Sequence, residues 1–282
     1  MNKISILKNF DKKNYFSYPF PFFNIDKAYD EKTYEYLKKD YTLFHKYFKK
    51  NSKYELNNIR LQISTEEFYN SRLFNNSIWK DFVQFHTSKT FFLQLIDIFS
   101  EDMKKIYPKI LDIVDKNKSN EDFLNIRNKR NIKEFQFVAD CQPGINTPSL
   151  YKSSVRQSHL DNSAELFAGL FYLRDDLDAS TGGNMQVMEM KKNKKAVFHQ
   201  KSLVRNHSDL NIFKEIKYEK NKVIFFMNTI NSIHSVSPRS ATSVPRNLTN
   251  IIFETYDIKN RLFSEYKKRQ NLLSKIRNLI GI

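Results

Sequence analysis

Whatever this chain folds into must bring together side chains that the sequence holds far apart. They are His159 and Asp161 in VRQSHLDN, His234 in NSIHSVSP, and Arg246 in VPRNLTNIIFE. Two neutral imidazoles and one carboxylate cover one face of an octahedral metal and leave the opposite positions open. In extended backbone, residues i and i+2 point to the same face, so a strand would let His159 and Asp161 reach one ion. A following arginine offers a forked, permanently charged partner for a carboxylate.

The intervening sequence supplies strands for that task. Leu166 to Leu173 is apolar at nearly every position, the pattern of a strand buried on both faces. Thr181-Gly182-Gly183 marks a turn. Two adjacent glycines in a chain with only five point to a required backbone geometry. MQVMEM follows as a short strand, then KVIFFM (Lys222 to Met227), with His234 just past its end. LTNIIFETY after Arg246 is strand-like again. Strands with ligands at their ends, joined by turns, predict a small all-β barrel with a ligand-bearing mouth.

From about Phe135 to Tyr256 these residues resemble the 2-oxoglutarate- and Fe(II)-dependent dioxygenases, most closely the prolyl-4-hydroxylase-like branch. DCQPGINTPSLYKSSVRQSHLDN is similar to that branch's approach to its metal strand, with a Pro-Gly turn before the HxD. LFYLRDDLDASTGGNMQVM is similar to its strand, acidic loop, Gly-Gly turn and strand, and HSVSPRSATSVPRNLTNIIFE to its distal histidine and cosubstrate arginine. The resemblance implies a mainly β fold with α: a double-stranded β-helix (jelly-roll or cupin-like barrel) with packing helices. It implies Fe(II) on His159, Asp161 and His234, and 2-oxoglutarate paired to Arg246 with the phenol of Tyr172 beside it. O2 would be the co-oxidant and ascorbate a candidate reductant. The implied reaction hydroxylates an unactivated C–H bond of a peptide, prolyl or small-molecule substrate and releases succinate and CO2.

Two features depart from the pattern. Arg246 stands twelve residues after His234, slightly farther than usual, which makes SATSVP a long loop; Arg239, at five, is too near to begin the next strand. Leu248 occupies a position where many members carry a small hydroxyl residue. Halogenation is disfavoured, because related halogenases lack the carboxylate that Asp161 provides.

Each signal has a competitor. A second HxD, His207 and Asp209, sits in polar KSLVRNHSDLN with only 27 positions left before His234, so it is expected to be a loop. His45, His86 and His199 are expected to be ordinary core or surface histidines. Tyr172 is also readable as a packed aromatic. Arg156 and Arg239 are candidate substrate contacts near the mouth, or simply solvated or ion-paired arginines.

The chain has 282 residues and 40% hydrophobic composition, with 25 phenylalanines. That length suits one domain with a helical extension, or at most two domains; with the resemblance, the expected layout is a mainly helical region over 1–130, a double-stranded β-helix catalytic core over 131–257 and an amphipathic C-terminal helix over 258–282, read as one structural unit. In the first part YPFPFFNID is read as a strand; DEKTYEYLKKDYTLFHKYF and Ser77 to Ile106 are read as helical, with Trp79, Phe82, Phe85, Phe91 and Phe92 packing on the barrel. Leu262, Phe263, Tyr266, Leu272, Leu273, Ile276 and Ile280 would form the apolar side of the last helix, whose default is packing on its own domain; pairing with a second copy and lying on an anionic membrane are the alternatives. No run of 18 apolar residues suggests a transmembrane span, and the N-terminus does not read as a secretory signal. A single cysteine, Cys141, excludes an internal disulfide, so a cytoplasmic setting is expected.

The formal net charge of +16 comes from dispersed lysines, as in a chain of AT-rich coding. Local clusters such as Lys191 to Lys195 are expected to be solvated, and nucleic acid is not required as a partner. The competing functions are a nucleic-acid-directed dioxygenase and a non-catalytic β-barrel binding protein. Peptides, free amino acids, sugars and lipid precursors all remain open as substrates, since the loops at Ile145 to Ser154 and Lys191 to Asn221 match no recognition pattern.

Overall fold

The computed structural model describes residues 4–51, 53–128, 136–199, 203–204, 206–255 and 262. The expected boundary near residue 130, and all of the expected C-terminal helix except Leu262, lie outside the described residues. So does any dimer contact through that helix.

Six α-helices precede most of the sheet: α1 (Glu31–Asp40), α2 (Thr42–Phe48), α3 (Thr65–Asn70), α4 (Ile78–His86), α5 (Lys89–Ile106) and α6 (Pro108–Asn117). Their starts follow the sequence. The side chains of Asp30, Ser64, Ser77 and Ser88 each accept a backbone N–H in the first turn of α1, α3, α4 and α5, which satisfies donors that a helix start leaves orphaned. Pro108 opens α6, where its missing N–H costs nothing. The two long helical segments each divide, at Tyr41 and at Thr87-Ser88.

Thirteen strands lie among the described residues. Before the expected barrel come β1 (Tyr15–Phe16), β2 (Phe22–Ile25), β3 (Arg60–Gln62) and β4 (Leu124–Ile126). Then come β5 (Phe137–Asn146), β6 (Glu165–Tyr172), β7 (Met185–Met190), β8 (Phe198–His199) and β9 (Leu203–Val204). The last are β10 (Leu210–Ile216), β11 (Lys222–Met227), β12 (His234–Val236) and β13 (Arg246–Thr255). Eight strands make one sheet in the order β1-β2-β11-β6-β13-β5-β3, with β4 alongside β5. A three-stranded sheet has the order β10-β7-β12, and β8 pairs with β9.

Alternation along the large sheet builds three layers. Phe167 and Phe171 of β6, Val223, Phe225 and Met227 of β11, and Ile251 and Phe253 of β13 pack with Trp79, Phe82, Phe91, Phe92 and Phe99 of the helices. The alternate residues Ala168, Ile224 and Phe226 meet Met185 and Val187 of β7 and Ile216 of β10. The aromatic stripe expected to pack on the sheet does so. Gly169 is required here: a Cβ would lie 2.3 Å from the Phe225 ring.

Two expectations need correction. Pro143-Gly144 makes no turn; both lie inside β5, paired with Thr249 and Leu248 of β13. The glycine serves close approach instead, since a Cβ there would stand 2.7 Å from the Leu61 carbonyl. The segment Lys191 to Asn221 is not a plain loop, because it contains β8, β9 and β10. Among the described residues, no helix is long and apolar enough to cross a membrane.

His86 ties the N-terminal segment to the core. It is fully buried; Nδ1–H donates to the Phe82 carbonyl (2.7 Å) and Nε2 accepts from the Ile6 N–H (3.2 Å). Both nitrogens are thus used by the neutral ring, and burial pushes its pKa down to about 3. The unfolded ring takes up a proton first as pH falls, so stability present above about pH 6.5 is lost progressively toward pH 3. In urea unfolding, the stability difference between wild type and His86→Gln should shrink by a few kcal/mol over that window. A difference that stays constant from pH 7 to pH 4 would contradict this assignment.

Candidate metal centre and anion pocket

Backbone pairing assembles the centre. His159 N–H donates to the His234 carbonyl (2.9 Å) and His234 N–H to the His159 carbonyl (3.1 Å). Residues paired this way across two antiparallel segments send their side chains to the same face. His234 opens β12, held by β7 through its register with Val187. His159 lies in an isolated bridge and not in a regular strand, so the expected HxD strand is a short extended stretch.

The side chains converge. His159 Nε2 lies 3.4 Å from Asp161 Oδ1, and His234 Nε2 lies 3.5 Å from Asp161 Oδ2. All three ligand atoms fall within 4.8 Å of one another. Adjacent ligands of an octahedral ion with bonds of about 2.1 Å stand roughly 3 Å apart, so only slight closure is needed. Each Nδ1 faces the carbonyl two residues earlier, Gln157 at 2.7 Å and Ser232 at 2.9 Å. A carbonyl can only accept, so Nδ1 carries the hydrogen and the Nε2 lone pair is left for a metal. Burial first, then the neighbouring His159, pushes the pKa of His234 down to about 3. Burial resists ionisation of Asp161, but His234, His159 and Arg156 outweigh it and hold the carboxyl below the usual range. Two neutral imidazoles and one carboxylate are the donor set that divalent iron takes.

A cavity of about 210 Å³ opens on these groups. Arg60, Arg127, Arg156, Gln62, Gln142, Glu165 and Asn250 line its polar side; Ala168, Leu170, Met185, Phe226 and Ile252 line the apolar side. Arg127 is engaged by Asp140 (3.6 Å) and Glu254 (3.2 Å). Arg156, half-exposed, reaches Asp161 Oδ1 at 3.5 Å.

The two sequence-selected arginines after His234 have different fates. Arg239 donates to Asp178 (2.9 Å), to Ser180 Oγ and to the Val244 carbonyl. It is buried and, like Arg246, does not line the cavity; of the two expected readings, its contacts match the ion-paired one. Arg246, also buried, stacks on the rings of Tyr172 (4.9 Å) and Tyr218 (4.7 Å). All three of its guanidinium nitrogens and the Tyr172 hydroxyl are buried with no hydrogen-bond partner among the described residues. Such groups are costly unless an acceptor completes them. Gly183 lies beside it at φ +70°, a left-handed conformation that favours glycine. Gly182 shares the left-handed geometry (φ +78°), so the Gly-Gly turn is needed for its backbone. The decoy histidine, His207, is exposed in a 3-10 turn.

Sequence reading missed Tyr218, Arg60 and Asn146. Register places Asn146 of β5 opposite both Arg60 of β3 and Arg246 of β13. The alternating run Ile59 to Ile63 was a signal for β3, but a brief one.

No family model matches this chain, and no curated protein matches it. Solved structures do. A prolyl 4-hydroxylase from Phytophthora capsici aligns at 12% identity over 91% of this chain and 64% of its own, with a TM-score of 0.45. A prolyl hydroxylase from Trichoplax adhaerens, solved with a hypoxia-inducible-factor peptide fragment, aligns at 12% over 86% of each chain (TM-score 0.41). A viral collagen prolyl hydroxylase from Paramecium Bursaria Chlorella virus-1, a 2-oxoglutarate complex, aligns at 12% over 84% and 96% (TM-score 0.35). The chain thus spans just under two thirds of the Phytophthora protein. Identities this low and scores below 0.5 transfer neither activity nor substrate.

Opposite outcomes are expected for the two arginines. Asp178→Ala strands the Arg239 charge and should cost about 3–5 kcal/mol in chemical unfolding. Arg246→Met removes a buried cation that lacks an acceptor and should cost less than about 1 kcal/mol, or stabilise. Equal losses in the two variants would mean that Arg246 is already satisfied.

Proposed function

We propose that this chain is an Fe(II)- and 2-oxoglutarate-dependent dioxygenase built on a double-stranded β-helix, hydroxylating an unactivated C–H bond of a peptide or small-molecule substrate. Two observations support it: the oriented His159–Asp161–His234 cluster opening on the cavity, and a buried Arg246 with no acceptor among the described residues, set by strand register beside Asn146 and Arg60, the last of which lines that cavity. A bare metal-binding barrel would need the first but not the second.

His159, Asp161 and His234 would hold Fe(II), with the carbonyls of Gln157 and Ser232 fixing both rings. Arg246 would bind the far carboxylate of 2-oxoglutarate through its free nitrogens, and the Tyr172 hydroxyl would donate a further hydrogen bond. Bound together, Fe(II), 2-oxoglutarate and O2 supply oxidative decarboxylation to succinate and CO2, coupled to hydroxylation. The protein's part is placement and exclusion of water. Phe226, whose ring lies 4.8 Å from that of His234, keeps one side of the centre dry, with Ala168 and Met185 beside it. Arg156 holds Asp161 in its ionised form from the solvent side. The helical region and the barrel are taken as one unit.

Asp161→Ala and His159→Ala should lose at least 100-fold in O2-dependent succinate release from 2-oxoglutarate, assayed across candidate substrate classes, while circular dichroism stays unchanged. Succinate release equal to wild type in Asp161→Ala would remove the assignment.

A further inference from the structure

Arg60 is the cation that the dioxygenase reading leaves without a task. It lines the cavity together with His159, Asp161 and His234. Among the described residues its side chain has no hydrogen bond or ion pair, and its Nε is buried without an acceptor. Its neighbours are satisfied: Gln62 donates to Gln142 (2.7 Å), Gln142 to Asp140 (2.6 Å), and Asn250 approaches Gln62 (3.3 Å). Beside Arg60 in the strand register stands Asn146, whose amide nitrogen and oxygen are both buried and unpaired. A guanidinium whose Nε is unpaired, beside an amide that is also unpaired, is a binding position, because polar groups kept from water without partners are costly.

Charge bookkeeping says what belongs there. Two positive charges on iron and one on Arg246 cancel the Asp161 carboxylate and the 2-oxoglutarate dianion. Arg127 is consumed by Asp140 and Glu254, and Arg156 leans on Asp161. Glu165 also lines the cavity, where burial pushes its carboxyl well above the usual range and favours the neutral form, so the half-buried Arg60 is left without an anion of its own. Burial first, then repulsion from Arg246 and Arg156, lowers its pKa to about 10 against the weaker pull of Asp161. A phosphate monoester would bring close to two negative charges to this single free cation. A carboxylate matches it in charge and in forked geometry. The cavity, about 210 Å³, is smaller than common ligand pockets of 300–1,000 Å³ and must also admit the keto acid.

Resting on the function proposed above, we infer that Arg60, assisted by Asn146, anchors a free carboxylate of the primary substrate, making it a small carboxylic acid of the amino-acid class or a peptide's C-terminal residue, not an internal residue of a long chain.

The test is calorimetric titration, under argon at pH 7.5, of protein loaded with Mn(II) and 2-oxoglutarate. The probes are free L-amino acids, their uncharged amides, and tripeptides ending in the same residues. At least one free acid or chain end should bind ten-fold or more tightly than its amide. Arg60→Gln should erase that preference, Arg60→Lys should keep part of it, and both should bind 2-oxoglutarate within two-fold of wild type. A free acid binding alone would identify a small molecule, and a matching tripeptide a chain end. Acids binding no better than amides throughout, or Arg60→Gln weakening 2-oxoglutarate ten-fold, would overturn the inference; the latter would move Arg60 into the keto-acid pocket. Failure of wild type to bind 2-oxoglutarate at all would instead defeat the underlying dioxygenase assignment. Asn146→Ala should weaken the acid and not the amide.

Discussion

The reciprocal backbone hydrogen bonds between His159 and His234 are what the site depends on. They join a segment outside any regular strand to β12, which β7 holds in the small sheet. Once that pair forms, both imidazoles must share a face, and Asp161, two residues on, falls between them. The carbonyls of Gln157 and Ser232 then choose the tautomer.

The large sheet supplies the opposite wall by simple alternation. Each of β6, β11 and β13 gives one set of residues to the helices and the other to the cavity. That division explains how an aromatic-rich helical layer supports a polar site it never touches. It also explains why Arg246, Asn146 and Arg60 form a row, since register across β13, β5 and β3 leaves them adjacent. Under the proposed function, a ligand and not the protein would complete the hydrogen bonding of these guanidinium groups.

Much of this was legible in the sequence where a single period or motif carries the signal. The apolar runs at Leu166 to Leu173 and Lys222 to Met227, the Gly-Gly turn and the HxD were readable because each encodes its geometry locally. The choice between Arg239 and Arg246 followed from the distance to the next strand. What stayed hidden depends on partners. β10 was missed because a bulge between Ile212 and Lys214 breaks its alternation and leaves Ile212 and Phe213 outward. Arg60 was missed because three residues of strand carry almost no period. Pro143-Gly144 looked like a turn because composition cannot show that Leu61 passes close by. Arg239 looked free because its partner, Asp178, lies in a loop whose path only the fold defines.

The most direct measurement is anaerobic titration of 2-oxoglutarate into the Fe(II)-loaded protein, followed by visible absorption and metal analysis. One iron per chain and a visible charge-transfer band that saturates at one 2-oxoglutarate per iron are the predicted result. Iron that fails to bind stoichiometrically, or a spectrum unchanged by saturating 2-oxoglutarate, would contradict the claim that these side chains form a keto-acid-binding iron centre.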